Sequence, residues 1–364
     1  MELYKTFAEI NLKAVSHNLN VVRKKTGNNE ILAVVKANAY GHGSVEISQR
    51  LIQNNVSMLG VAYTGEGIVI REAGIKIPIV VFFDRDNADA CLKHNLTPVI
   101  SDLNSGKKIS TLAYRQNRKI PVHIKVDTGM GRVGLTMDNA IKVIREISSL
   151  RNIQLEGLMS HFSDADLLDK DFANLQLKHF KKLVKSLTQD KITFKYLHMS
   201  NSAAVLTMPD AHFNLVRPGI MLYGYACCER DKIKPVMSLK SRIILLKKVP
   251  AGTPVSYART FITKKKSTIA TIPIGYADGY SRKLSNSGEV LINGYRAPVI
   301  GRVCMDAIMV DVTHIRNVSY KSVVVLIGQS EKEIITAEDI AEKTGTIPYE
   351  VLTSVGARVQ RIYK

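Results

Sequence analysis

The sequence predicts an α/β protein in which an N-terminal (β/α)8 barrel is followed by a mostly β C-terminal domain. In the first two thirds of the chain, short apolar runs alternate with helical patterns eight times over about 220 residues, which is typical of a parallel barrel. This alternation stops near Lys232, and the segments beyond it read as strands separated by turns. A chain of 364 residues is also long enough for two domains. We therefore predict domains at residues 1–231 and 232–364.

The barrel pattern begins with a helix and a buried strand. Residues 12–25 carry Val15, Leu19 and Val22 at helical spacing, and the continuous apolar run 31–35 predicts a strand covered on both faces. The following strands are predicted at 58–63, 77–83, 97–100, 120–126, 153–161, 194–199 and 214–216, with helices between them that include 139–150 and 171–187. In the second domain, strands are predicted at 237–246, 268–273, 289–292, 298–311 and 323–327.

The charge of the chain does not by itself indicate a nucleic-acid partner. Fifty-one basic residues against 32 acidic ones give a formal net charge of +19. The lysines are dispersed, however, and no basic stretch is interleaved with aromatic residues. We interpret the charge as a solvated surface and expect no nucleic-acid partner.

Neither a membrane segment nor a metal site is expected from the sequence. No apolar run reaches the ~18 residues that a membrane span needs, so we expect no membrane association and a cytoplasmic protein. The four cysteines are Cys91, Cys227, Cys228 and Cys304, and none has metal-ligand spacing. They are interpreted as reduced thiols.

Polar residues follow several predicted strands at the end where barrel enzymes carry their chemistry. Lys36 follows strand one, Arg132 lies in the glycine-rich loop after strand five, and His161 ends strand six. Asn201 and Ser202 follow strand seven, and Arg217 ends strand eight. Any one of these has an ordinary structural explanation. Together they predict a single site at the mouth of the barrel.

The loops after strands seven and eight are where barrels commonly bind phosphate. Here they contain Asn201-Ser202 and Arg217-Pro218-Gly219-Ile220. Gly219 permits close backbone approach, and Ser202 is predicted to cap a short helix whose free N–H groups face an anion. A phosphate anchor together with a lysine suits pyridoxal 5'-phosphate (PLP), which needs both.

Motifs along nearly the whole chain, in order, resemble those of the bacterial alanine racemases, PLP-dependent enzymes of fold type III. The resemblance is carried by VVKANAYGHG (34–43), KVDTGMGRVG (125–134), HFSDAD (161–166), NSA (201–203), RPGIMLYG (217–224), SYART (256–260), IGYADG (274–279), GRVCMD (301–306) and PYE (348–350).

The resemblance implies an isomerase that interconverts L-alanine and D-alanine, which supplies D-alanine for peptidoglycan. It assigns the PLP-bearing lysine to Lys36 and the two catalytic bases to Lys36 and Tyr257. Arg217 would contact the pyridine nitrogen, and because an arginine stays protonated it donates to that nitrogen without protonating it. A basic amino-acid decarboxylase of the same architecture would carry an acidic residue there, which argues against that alternative.

The resemblance also assigns the remaining residues of the site. The cofactor would be bound by Lys36, Tyr40, Arg132, His161, Asn201, Ser202, Arg217, Gly219, Ile220 and Tyr349. Arg132 and the backbone N–H of Met305 would bind the substrate carboxylate. Lys125 is a candidate for carbamylation, and the access corridor would contain Asp166, Tyr276, Arg282, Arg302 and Ile347.

The resemblance further implies a homodimer whose active sites combine the barrel of one subunit with the β domain of the other. One residue departs from the family pattern, because Ala258 stands where the family usually has glycine after the catalytic tyrosine. The methyl group of Ala258 is expected to alter the angle at which Tyr257 approaches the substrate or the volume of the pocket. A broader-specificity or serine racemase of the same fold stays open as the alternative.

Overall fold

The computed structural model describes residues 5–84 and 86–364. The described residues form two compact units. The barrel unit contains residues 15–39 and 44–234, and the β unit contains residues 5–14, 40–43 and 235–364. The units separate between Lys234 and Pro235, and the domains 1–231 and 232–364 remain a sequence prediction.

The barrel unit is built on parallel strands, as predicted. Within the described residues eight of them, called barrel strands one to eight, follow one another: Glu30–Val34, Met58–Val61, Ile79–Val81, Thr97–Ile100, Ile120–Asp127, Ile153–Met159, Tyr196–His198 and Leu215–Val216. Strand eight pairs with strand one, and the backbone N–H of Arg217 donates to the carbonyl of Ser200 at 2.8 Å beside strand seven. The barrel is therefore nearly closed, with a short strand Leu135–Thr136 added beside strand five.

Helices alternate with these strands. They are Leu12–Thr26, Ser44–Gln53, Thr64–Glu72, Ala88–Lys93, Leu103–Arg115, Ala140–Ser148, Asp171–Gln189 and Ser202–Thr207. The first helix matches its predicted bounds to within one residue, and Val15, Leu19 and Val22 are fully buried. The helical spacing of these apolar residues therefore creates the buried face of this helix.

The β unit contains three sheets within the described residues. The strands are Phe7–Ile10, Met237–Arg242, Leu245–Val249, Pro254–Val255, Phe261–Ile262, Ser267–Ile272, Glu289–Ile292, Tyr295–Pro298, Ile308–Asp311, Val323–Ser330, Glu333–Ile335 and Gln360–Tyr363. The first of them, Phe7–Ile10, pairs antiparallel with Met237–Arg242 and parallel with Gln360–Tyr363. Two helices that the sequence analysis did not predict are Ala337–Thr344 and Pro348–Ser354.

The predicted single strand at 298–311 is wrong. The chain forms two strands, Tyr295–Pro298 and Ile308–Asp311, with a loop between them that contains Met305. Gly301 turns this loop with a φ of +74°, and a Cβ atom there would lie 2.7 Å from the Cβ of Ser256. A tertiary contact therefore sets the break, which an apolar run cannot reveal.

Across residues 5–84 and 86–364, no helix combines the length and the apolar character that a bilayer span requires.

Candidate active site

Lys36 directly follows barrel strand one and begins a tight left-handed turn. The next residues, Ala37 to Ala39, all have a φ of +52°. Glu66, on the helix after strand two, accepts hydrogen bonds from the backbone N–H groups of Ala37 and Ala62, both at 2.7 Å. Glu66 was not predicted as a site residue, because its role depends on how strands one and two are placed side by side.

Phe83 lies at the centre of a group of cations. Its ring centroid is 5.9 Å from Nζ of Lys36, 5.0 Å from Nζ of Lys125 and 5.3 Å from Cζ of Arg132. An aromatic face attracts cations at such distances. Phe83 was not predicted as a site residue. The sequence signal that could have identified it is its position as the last residue of the predicted strand 77–83.

Lys125 lies on strand five and is only 3% exposed. Burial, followed by the charges of Arg132 and Arg217, lowers the pKa of its amine to about 8. The Lys36 charge lowers the same pKa, while Asp127 raises it. Burial and then the Arg132 charge also lower the pKa of Lys36. Both amines are therefore more readily neutral than an ordinary surface lysine.

Asp127 shapes the loop that carries Arg132. Its carboxylate accepts hydrogen bonds from the backbone N–H groups of Gly129 at 2.9 Å, Gly131 at 3.1 Å and Arg132 at 3.2 Å. Burial raises the pKa of Asp127, but these backbone donors outweigh it and hold the pKa below its usual value. The loop also packs closely at Gly134, where only glycine fits. A Cβ atom at this position would lie 2.7 Å from the backbone nitrogen of Asp127.

Arg217, at the end of strand eight, is 4% exposed and surrounded by acceptors. Its Nη1 donates to Nδ1 of His198 at 2.9 Å and to the His198 carbonyl at 2.7 Å. Its Nη2 donates to the carbonyl of Ser160 at 2.7 Å and approaches Nδ1 of His161 at 3.3 Å. Burial and then the Arg132 charge lower the pKa of Arg217 to about 9, so it remains a cation at neutral pH.

His161 joins these groups into one cluster. Burial lowers its pKa well below the usual value, and the charges of Arg217, Arg132, Lys125 and Lys36 lower it further. The imidazole is therefore neutral at physiological pH. Because Arg217 can only donate, Nδ1 of His161 accepts and the ring proton resides on Nε2.

The loops after strands seven and eight are joined through Ser202, although its predicted capping role is wrong. Asn201 caps the helix Ser202–Thr207, since its side chain accepts from the N–H of Ala204 at 3.0 Å. The hydroxyl oxygen of Ser202 instead accepts from the N–H of Gly219 at 2.8 Å and of Met221 at 3.3 Å. A hydroxyl has two acceptor lone pairs and one proton, so the buried Ser202 proton can be donated to an anion.

In the β unit, Tyr257 projects from a sharply turned segment and is 67% exposed. Ser256 before it has a φ of +65°, and Ala258 after it has a φ of +58°. The hydroxyl of Ser256 donates to the carbonyl of Arg302 at 2.6 Å, which ties the turn to the loop after Gly301. The departure from the family pattern at Ala258 thus falls where glycine is conformationally favoured.

Met305 lies in a loop fixed by the segment around Gly275. The Met305 carbonyl accepts from the N–H of Ala277 at 3.1 Å, and the Cys304 carbonyl accepts from the N–H of Tyr276 at 3.1 Å. A Cβ atom at Gly275 would lie 2.3 Å from both carbonyl oxygens, so the close approach requires glycine.

The remaining predicted residues are distributed over the two units. In the β unit, Tyr40 is buried and its ring lies 6.0 Å from that of Tyr349. Burial and then Tyr349 raise the pKa of Tyr40. Corridor residues that are exposed in their own unit are Asp166 in the barrel unit and Tyr276, Arg282 and Ile347 in the β unit, whereas Arg302 is half-buried.

Both parts of the chain match family models. Residues 10–227 match the alanine racemase N-terminal domain, and residues 236–363 match the alanine racemase C-terminal domain. Together these matches span nearly the whole sequence.

Individual proteins agree with the family models. The alanine racemase of Thermodesulfovibrio yellowstonii is 46% identical over 361 residues, covering 98% of this chain and 97% of the relative. The solved alanine racemase of Clostridium difficile 630 has a TM-score of 0.94 at 38% identity, covering 100% of this chain and 97% of that one. The alanine racemase of Bartonella henselae, solved with covalently bound pyridoxal phosphate, has a TM-score of 0.89 at 31% identity, covering 99% and 100%.

Proposed function

The chain belongs to the alanine racemase family, and on that premise we propose that it racemises alanine with PLP on Lys36. The reaction class is that of the family, an isomerase that interconverts L-alanine and D-alanine. The broader-specificity and serine racemase alternatives are not favoured, since the relatives are named as alanine racemases.

One observation carries the assignment of the site. The charges of Lys36, Lys125, Arg132 and Arg217 all lower the pKa of the half-buried His161. Such a concentration of positive charge is costly unless an anion belongs there. It therefore supports a site for an anionic cofactor and a carboxylate substrate.

The residues present fit PLP. Lys36 offers an amine of lowered pKa, Ser202 offers a buried hydroxyl proton, and Arg217 offers a guanidinium that can only donate. We propose that Tyr40, Ser202, Gly219, Ile220 and Tyr349 hold the phosphate, with Asn201 holding the loop. When bound, PLP supplies an electron sink that makes the α-proton of an amino acid acidic.

Racemisation needs one base on each face of the α-carbon. We assign Lys36 to the face that exchanges the proton of D-alanine and Tyr257 to the face that exchanges that of L-alanine. Burial and the Arg132 charge favour the neutral form of Lys36, which is the form that accepts a proton. His161 carries its proton on Nε2, so it can donate a hydrogen bond to the phenolate of Tyr257, the form that accepts a proton.

Arg217 biases the site toward racemisation. Its five protein acceptors hold the guanidinium in one orientation, and it remains protonated near neutrality. It would therefore donate a hydrogen bond to the pyridine nitrogen of bound PLP without transferring a proton. By leaving that nitrogen unprotonated, Arg217 would weaken the electron sink and disfavour transamination and decarboxylation.

We propose that Arg132 and the backbone N–H of Met305 bind the substrate carboxylate. The hydrogen bond from the backbone N–H of Arg132 to the Asp127 carboxylate fixes the backbone of Arg132. The close approach of Gly275 to the Met305 carbonyl fixes the backbone of Met305. We also propose that Lys125 is carbamylated. Its pKa of about 8 supplies the neutral amine that reacts with carbon dioxide, and the resulting anion would offset the Arg132 charge.

We further propose a homodimer with composite active sites. Tyr257 and Met305 are more than half exposed in their own unit, as residues that complete a partner's site would be. Asp166, Tyr276, Arg282, Arg302 and Ile347 would form the access corridor that admits small amino acids.

We place the enzyme in the cytoplasm, where it would supply D-alanine for peptidoglycan. All four cysteines lie within the described residues and are free thiols, which suits a reducing compartment.

An isotope experiment tests the proposed function. The purified enzyme is incubated separately with L-alanine, L-serine and L-lysine in deuterated water. We expect rapid racemisation of alanine with deuterium at the α-carbon of both enantiomers, and much slower reaction of the other two. Racemisation without α-deuterium would contradict the proton-transfer mechanism, and serine turnover as fast as alanine would contradict the substrate assignment.

A further inference from the structure

We propose that Glu156 is a positioning residue for Arg217, acting through His123 and His198. These four residues lie on or directly after the last four barrel strands and follow one another in one series of polar contacts. Nη1 of Arg217 lies 2.9 Å from Nδ1 of His198, and Nε2 of His198 lies 2.9 Å from Nδ1 of His123. Nε2 of His123 then faces Oε2 of Glu156 at 3.6 Å. The proposal rests on the role proposed for Arg217.

The position of every proton in this series follows from the arginine. A guanidinium has donors and no acceptor, so Nδ1 of His198 must accept. Neutral His198 then carries its proton on Nε2 and donates to Nδ1 of His123. His123 in turn carries its proton on Nε2, directed at the carboxylate of Glu156. Burial lowers the pKa of His123 and lowers that of His198 well below its usual value, which agrees with two neutral rings.

The local backbone of strand six is shaped around this contact. Val122 pairs with Leu155 but His123 pairs with Gly157, so Glu156 is an extra residue in a β-bulge. Bulges redirect a side chain and are common beside active sites. Here the bulge brings a carboxylate to a buried imidazole, with the Glu156 side chain 16% exposed and that of His123 fully buried.

Gly157 provides the space for the imidazole. A Cβ atom at this position would lie 2.5 Å from Nδ1 of His123 and 2.6 Å from its Cγ. Gly157 does not have a positive φ, so the glycine serves the ring and not the backbone conformation.

Glu156 also offers the hydrogen-bond acceptor that Nε2 of His123 otherwise lacks. Nε2 of His123 is buried and, among the described residues, has no partner within hydrogen-bonding distance. The 3.6 Å separation exceeds a hydrogen bond by about half an ångström, a gap of the kind that closes in ligand-bound active sites. With Glu156 as terminal acceptor, each proton has a partner and Arg217 keeps its acceptor at His198.

The test compares Glu156→Leu, which removes the acceptor, with Glu156→Gln, which keeps one. Gln154→Leu is the control, because Gln154 is an exposed residue of the same strand. We expect Glu156→Leu to lower the kcat for L-alanine about tenfold with little change in KM, since Arg217 does not bind the substrate carboxylate. Glu156→Gln should recover kcat to within about threefold of wild type.

Nitrogen-15 NMR of the histidine rings provides a readout that does not depend on activity. In the wild-type holoenzyme we expect Nδ1 unprotonated and Nε2 protonated in both His123 and His198, assigned by His123→Phe and His198→Phe. Both sets of signals should change in Glu156→Leu and persist in Glu156→Gln. A protonated Nδ1 in either wild-type ring would overturn the proposal, as would equal kcat in Glu156→Leu and Gln154→Leu. A wild-type enzyme without racemase activity would instead contradict the proposed function, while the NMR test would still apply.

Discussion

The Nζ atom of Lys125 lies 5.0 Å from the centroid of the Phe83 ring, so an aromatic face meets the most deeply buried amine of the site. Lys36 and Arg132 face the same ring at 5.9 and 5.3 Å. The Lys36 and Arg132 charges repel one another, and the electron-rich ring face partly offsets that repulsion. Phe83 therefore supports the two cations that are proposed to bind the cofactor and the substrate carboxylate.

Replacing Phe83 by leucine should impair catalysis. Each cation–ring interaction is worth roughly 0.5–1 kcal/mol or more, so we expect kcat/KM for L-alanine to fall about tenfold. Phe82→Leu is the control, because Phe82 is a buried neighbour whose ring lies 6.4 Å from that of Phe83. Steady-state kinetics measure kcat/KM for both variants. Equal losses of kcat/KM would mean that the loss of ring volume, and not of the cation–ring contacts, causes the effect.

The state of Lys125 can be read from the pH dependence of stability. A bare amine with a folded pKa of about 8 and an unfolded value of 10.5 destabilises the fold fully below pH 8 and not at all above pH 10.5. Relative to Lys125→Met, a bare lysine would therefore lose on the order of 3 kcal/mol of stability as the pH falls through this window.

Carbamylation predicts the opposite order at neutral pH. The carbamate anion is stabilised by neighbouring cations, so the wild type in bicarbonate buffer should unfold at higher urea than Lys125→Met at pH 7. Removing carbon dioxide should narrow the difference. A wild type that is less stable than Lys125→Met at pH 7, with the gap closing above pH 10.5, would identify a bare amine.

Ala258→Gly should stabilise the β unit. Ala258 has a φ of +58°, a left-handed conformation that costs alanine about 1 kcal/mol more than glycine. The greater freedom of glycine in the unfolded chain offsets part of this gain, which leaves about 0.5 kcal/mol. Ala277→Gly is the control. Ala277 does not have a positive φ, so replacing it by glycine should lower the free energy of unfolding. Urea unfolding that ranks both variants equally destabilised would refute the strain at Ala258.

Complementation tests the composite active site. Lys36→Ala and Tyr257→Ala should each be inactive, but a heterodimer would contain one site with both bases intact. Random mixing should then recover about a quarter of wild-type activity, because half of the dimers have one working site. Lys36→Ala mixed with Arg217→Ala is the control, as both changes affect the barrel unit and every site stays damaged. Absence of recovery in demonstrated Lys36/Tyr257 heterodimers would contradict shared sites.

Much of the barrel could be predicted because strand periodicity and strand ends are local properties. Lys36, His161 and Arg217 each follow an apolar run, and parallel strands bring their carboxyl ends to one mouth. The predicted fold class is confirmed by the family models and by the solved structures that the chain resembles. The roles assigned to individual residues came from the family resemblance and stay predictions until they are tested.

Other features could not be predicted because they depend on how distant segments meet. Glu66 acts on a turn 29 positions away, and the contact of His123 with Glu156 requires a bulge that shifts the strand register. The break in the predicted strand at 298–311 depends on Gly301 meeting Ser256. No local pattern of hydrophobicity encodes these tertiary contacts.

Chemical trapping of the cofactor tests the central claim most directly. The purified holoenzyme is reduced with borohydride, digested and analysed by mass spectrometry. We predict loss of the yellow colour and one modified peptide, with the reduced pyridoxyl group on the side chain of Lys36. A modified lysine elsewhere in the chain, or no modified peptide from active enzyme, would contradict the account.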